Sequence, residues 1–149
     1  MSYRSPDEAI VYARDREADA AGFYELLSRR VEQPATRAMF EALAAEERRH
    51  QVQLEALRPA DLAGWADESV TVPVGIASPT VKYQPDMSFV DALRLALQRE
   101  DESVRLYQLL HDRAPDSAVG GLFSVLIDQE RQHQRRLQDE LDRVVLKED

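Results

Sequence analysis

The sequence predicts an all-α protein, a four-helix bundle made of two repeated helical hairpins joined by a long crossover. Three observations predict it. Apolar residues recur at steps of three and four along most of the chain, the signature of helices with one buried face. Good helix formers (Ala, Leu, Glu, Arg, Gln) dominate the long runs, while Gly is held to 5 residues and Pro to 7. The chain also repeats itself without a gap. Glu17, Tyr24, Glu47 and His50 return as Glu100, Tyr107, Glu130 and His133, each 83 residues on. The same offset pairs Ser5 with Ser88, Ala13 with Ala96, Leu27 with Leu110, Phe40 with Phe123, Arg48 with Arg131 and Leu54 with Leu137. A chain of 149 residues is the size of one domain. It is read as a single domain, 1–149, with hairpins at 5–58 and 88–146 and a crossover at 59–87.

The first helix opens at SPDE, with Ser5 as N-cap, Pro6 at the first helical position and Glu8 completing a capping box. Its inward stripe reads Ile10, Ala13, Glu17, Ala20, Tyr24, Leu27 and Val31, so a carboxylate stands among apolar residues. QPAT at 33–36 breaks the helix, and a second helix runs to about Arg58, before Pro59. The stripe of this second helix contains Phe40, Leu43, Leu54 and Leu57, and the positions that complete the rhythm are Glu47 and His50.

From 59 to 87 the periodicity fails, and most of the prolines gather with β-branched residues. This segment is expected to be a linker. A helix of about 26 residues is roughly 39 Å long, and a stretch of this size can run from one end of a bundle to the other. Trp65 and VTVPVGI supply apolar material to pack on the bundle or against a second subunit. The third helix opens at Ser88, with Asp91 in the capping position, and carries Leu93, Ala96, Glu100, Val104, Tyr107 and Leu110 inward. RAPDS at 113–117 ends it. The fourth helix starts near Asp116 or Ser117 and runs to about Val145, with Phe123, Leu126, Leu137 and Leu141 flanking Glu130 and His133. Gly120 and Gly121 in its first turns are expected to allow close helix contact.

Charge and composition exclude several functions. A net charge of −9 disfavours a general grip on nucleic acid or an anionic membrane, either of which needs a basic face. The absence of cysteine excludes disulfides, iron–sulfur clusters, thiolate zinc sites and thiol catalysis. No run approaches the length needed to span a bilayer, and the N-terminal stretch has no signal-type apolar core. A soluble cytoplasmic protein is expected.

Packed about a pseudo-twofold axis, the hairpins are expected to bring six groups together: Glu17, Glu47, His50, Glu100, Glu130 and His133. Residues three apart on a helix face the same way, so each Glu-x-x-His turn offers a carboxylate oxygen and an imidazole nitrogen. Four carboxylates in an apolar interior are unfavourable alone, because desolvation and mutual repulsion both oppose ionisation. Two divalent cations balance them, which favours a dinuclear centre. Oxygen donors with a minority of imidazole suit iron or manganese. Asp101, Glu102, Glu46 and Asp128 neighbour the ligands but point elsewhere by helical phase, and most are expected in solvent. His111 lies outside the repeat and is read as a surface residue, and Arg48 and Arg131 as partners in helix-surface ion pairs.

The arrangement resembles the ferritin-like di-iron carboxylate superfamily, and within it the rubrerythrin branch, which has one Glu in the first and third helices and Glu-x-x-His in the second and fourth. The resemblance covers both hairpins. It implies two iron ions, with Glu17 and Glu100 as terminal ligands, Glu47 and Glu130 as bridging ligands, and His50 and His133 as one terminal ligand on each metal. It implies chemistry with hydrogen peroxide or dioxygen, a peroxidase-type activity, and a homodimer. Tyr24 and Tyr107, one helical repeat from Glu17 and Glu100, become hydrogen-bond donors or radical quenchers beside the ligands. The family's extra carboxylate one turn beyond the lone Glu of the third helix is replaced here by Ser103, and the cysteine-rich electron-feeding module has no counterpart. An external electron donor is therefore required. Two other readings stand beside this one: a ferroxidase that handles iron, and a non-catalytic helical module stabilised by metal.

Overall fold

The computed structural model describes residues 2–62, 70–72, 82–114 and 117–148. Four long helices dominate it: α1 (Pro6–Arg30), α2 (Pro34–Glu55), α3 (Phe89–Arg113) and α4 (Ala118–Glu148). The chain divides into two compact units, residues 4–69 and residues 1–3 with 70–149. α1 packs on α2 in the first, and α3 on α4 in the second, so each unit holds one helical hairpin.

The local signals act where the sequence places them. Ser5 Oγ accepts the Glu8 N–H at 3.2 Å, and Ser88 Oγ accepts the Asp91 N–H at 3.0 Å, each satisfying a backbone donor that a helix leaves open at its start. Pro6 and Pro34 sit in the first helical turn, where a missing N–H costs nothing. The α1–α2 turn is closed by Arg37, whose guanidinium donates twice to the Val31 carbonyl, at 3.3 and 3.0 Å. On the other side Ser117 caps α4, its Oγ accepting the Gly120 N–H at 3.0 Å.

Each hairpin carries a buried apolar stripe. Leu27, Phe40, Leu43 and Leu54 are buried in the first unit, and Leu93, Leu110, Phe123, Leu126 and Leu137 in the second. A side chain of this kind contributes about 1.5–3 kcal/mol when fully removed from water. Tyr24 stacks on Phe40 with ring centroids 6.2 Å apart, and its counterpart Tyr107 stacks on Phe123 at 5.9 Å, so the repeat extends to side-chain packing.

Several expectations are corrected. α2 ends at Glu55 and α4 continues to Glu148, shifts of a turn or less from the boundaries read in the sequence. In α1 the stripe passes through Ala21, not Ala20, because a period of 3.6 drifts from integer steps. The crossover opens with a short 3-10 turn, Pro59–Leu62, and includes the strand β2 (Val70–Val72), which pairs with β1 (Ser2–Arg4). Trp65 and the residues from 73 to 81 lie outside the described residues. β2 lies beside α3, and α3 carries a second buried stripe of Ala92, Leu95, Glu102 and Leu106 in addition to the predicted one. A Cβ built on Gly121 would meet nothing within 4 Å, so close packing is not the reason for glycine at that position.

Candidate functional site

The first hairpin brings together three of the six predicted residues. Glu17 comes from α1, and Glu47 and His50 from successive turns of α2. His50 Nδ1 lies 3.5 Å from Glu17 Oε2 and 3.5 Å from Glu47 Oε2. Glu17 is only 2 % exposed, and Glu47 and His50 are 1 % exposed. The second hairpin repeats the construction. Glu100 comes from α3, Glu130 and His133 from α4, and His133 Nδ1 lies 3.5 Å from Glu100 Oε1 and 3.8 Å from Glu130 Oε2. These three are equally buried.

The donor set fits a divalent metal. In each triplet one imidazole nitrogen and two carboxylate oxygens lie within 4.8 Å of one another. Separations of 3.5 to 3.8 Å from the nitrogen are long for strong hydrogen bonds. They approach the spacing of neighbouring ligands around a cation, roughly 3 to 3.5 Å for metal–ligand bonds of roughly 2.1 Å. With a neutral imidazole a triplet carries two negative charges, which one divalent ion balances. Burying two carboxylates on facing helices without such an ion would combine desolvation with repulsion. Imidazole with hard oxygen donors suits iron or manganese, and no thiolate is present to favour a softer metal.

Each donor is held by ordinary packing. Glu47 is flanked on α2 by buried Leu43, Ala44 and Leu54, and Glu130 on α4 by buried Leu126, Ile127 and Leu137. The polar positions therefore ride on the same face that anchors the hairpin. Tyr24 and Tyr107, both 1 % exposed, occupy that face two turns beyond Glu17 and Glu100.

The neighbouring acids divide. Asp101 and Asp128 are exposed, and Glu46 is half-buried beside Arg49 at 3.7 Å. Glu102 departs from expectation: it is only 5 % exposed, and Gln98 Nε2 donates to its Oε1 at 3.2 Å. Its phase does point it away from Glu100, but onto the second buried face of α3, which it shares with Ala92, Leu95 and Leu106. Arg48 forms the anticipated surface pair with Glu25, at 3.2 Å. Its repeat counterpart Arg131 is in no ion pair among the described residues, since the position matching Glu25 is Gln108. His111 is partly exposed beside Asp112, 3.4 Å away.

Among the described residues no helix is long and apolar enough to cross a membrane. A family model described as Rubrerythrin matches residues 8–141. No curated protein matches the chain. A crystal structure of a Thermotoga maritima protein, described as ferritin-like and diiron-carboxylate, shares 21 % identity with a TM-score of 0.74. The match covers 95 % of this chain and 97 % of that one, and it establishes a common ferritin-like four-helix fold.

Proposed function

The chain belongs to the rubrerythrin family, and from that premise we propose that it is a di-iron oxidoreductase acting on hydrogen peroxide or dioxygen with electrons from an external donor. The observation that carries this reading is the pair of matching buried triplets, two carboxylates and one imidazole in each hairpin. In this reading Glu17, Glu47 and His50 hold one ion, and Glu100, Glu130 and His133 hold the other. Bound iron would supply the redox change, one electron from each metal toward cleavage of the O–O bond.

The chain's own contribution is positioning and exclusion of water. Helix packing sets the three donors of each triplet side by side, so little conformational freedom is left to lose when an ion enters. Burial of the donors keeps solvent from competing with them. Tyr24 and Tyr107, fixed by stacking on Phe40 and Phe123, are assigned as donors of a hydrogen atom or a hydrogen bond near the ligands. Within this sequence no cysteine can relay electrons, so the reading assigns that role to a donor outside these 149 residues. A cytoplasmic homodimer completes the proposal.

Metal analysis of the purified protein, followed by anaerobic iron loading and addition of peroxide with an electron donor, tests it. Two irons per chain and sustained peroxide consumption are expected. Iron oxidised once and released would mark an iron-handling ferroxidase, and a bound ion whose oxidation state never changes would mark a structural metal. Either result overturns the proposal.

A further inference from the structure

The two hairpins match at their buried triplets but differ on one outer face. In the first, Arg48 is occupied: its guanidinium lies 3.2 Å from Glu25 Oε1 and 3.3 Å from Gln51 Oε1. The residues 83 positions beyond Glu25, Val52 and Glu55 are Gln108, Arg135 and Gln138. At these positions two acids give way to glutamines and a valine to an arginine, while at the same offset Arg14 gives way to Leu97 and Ala45 and Ala56 to Asp128 and Asp139.

A groove on the second hairpin is lined by two arginines and no acid. Arg131 and Arg135 are exposed and one turn apart on α4, so their side chains share a face. Among the described residues neither is in an ion pair, although Asp128 and Asp139 stand within a turn of them. With Gln134, Gln138 and Leu97 of α3 they line an open groove of about 440 Å³. Gln138 also donates to Asp142 Oδ1 at 2.8 Å, which fixes that edge of the groove.

We propose that this groove binds a phosphate group, free or carried by a small organic molecule of nucleotide size. Two guanidinium forks four residues apart can each give paired N–H bonds to phosphate oxygens, a geometry that lysine does not reproduce. The groove is open to solvent, and Leu97 offers an apolar wall for the organic part. A macromolecule acidic enough to seek the arginines would meet a chain of net charge −9, whereas a single phosphate is small enough to take paired bonds from the two guanidiniums alone. The site requires no metal and is separate from the triplets in its residues.

Calorimetric titration of the purified protein with adenosine monophosphate, adenosine and inorganic phosphate tests the proposal, alongside the R131Q/R135Q variant. The metal content of each sample is measured in parallel, so that failure here is distinguished from failure of the di-iron reading. Saturable binding of the nucleotide is expected, at least tenfold weaker for adenosine and at least tenfold weaker in the variant, with metal stoichiometry unchanged. Equal binding of inorganic phosphate supports the site and marks the free ion as its ligand; nucleotide binding alone supports it and marks an organic phosphate. Absence of saturable binding by either, or binding that survives R131Q/R135Q in a variant with an unchanged helical circular dichroism spectrum, overturns it.

Discussion

His50 Nδ1 lies 3.5 Å from Glu17 Oε2, a contact between α1 and α2 in which both side chains are almost wholly buried. His133 and Glu100 repeat it at 3.5 Å between α3 and α4. Because the third donor is one turn from the histidine on its own helix, a single hairpin assembles a complete triplet. Such local contacts favour early formation of each hairpin, since little loop-closure entropy opposes them.

Removing a donor should remove its metal. Glu47→Ala or His133→Ala is expected to bring metal content below two ions per chain while leaving the helical signal intact. Elemental analysis with circular dichroism checks this, and two ions retained in either variant would contradict the assignment.

Metal should stabilise the fold by mass action. An ion present at about 100 times its dissociation constant adds about 2.7 kcal/mol, so chelation is expected to lower the melting temperature by roughly 5–10 °C for a domain of this size. Scanning calorimetry with and without chelator measures the difference.

The metal-free form should respond in the opposite sense to loss of charge. Glu17→Gln keeps the shape of the side chain but removes one buried carboxylate, and a gain of about 1 kcal/mol in stability without metal is expected. Chemical denaturation of the chelated proteins reads the sign. A metal-free variant less stable than the parent would mean that the acids are not in conflict.

Tyr24→Phe separates packing from chemistry. Its ring should keep the stack on Phe40, so stability should change by less than about 1 kcal/mol, whereas Tyr24→Ala should cost about 3–5 kcal/mol through the cavity it leaves. If the hydroxyl assists the ligands, peroxide turnover in Tyr24→Phe falls roughly tenfold to a hundredfold. Unchanged turnover would leave Tyr24 as a packing residue.

The helix starts should be worth more than the surface ion pair. Ser5→Ala and Ser88→Ala are each expected to cost about 1 kcal/mol, because an open helix N–H loses its acceptor. The Arg48–Glu25 pair, with both side chains nearly half exposed, should contribute about 0.2–1 kcal/mol in a double-mutant cycle. Urea denaturation of the single and double variants gives both values.

Much of this was legible in the sequence, and for identifiable reasons. Ser5 and Ser88 announced two helix starts because capping is a matter of three or four adjacent residues. Glu17, Glu47, His50, Glu100, Glu130 and His133 stood out because helical period assigns each a face, and the repeat confirmed the assignment twice. The surroundings of Glu102 and Arg131 were not legible, for the complementary reason. Periodicity states which way a side chain points, not what covers it, and Glu102 points to a second face of α3 that is buried only in the folded chain. Arg131 matches Arg48 in sequence, yet its partner depends on a residue of another helix, where Gln108 replaces Glu25. The strand pair of Ser2–Arg4 with Val70–Val72 is likewise a long-range event that no local pattern foretells. The sequence by itself determined the helices, their inward faces and the donors on them, since these follow from short-range spacing. Only the tertiary structure decided which outward faces are covered and which charges find partners, because both depend on contacts between residues far apart in the chain.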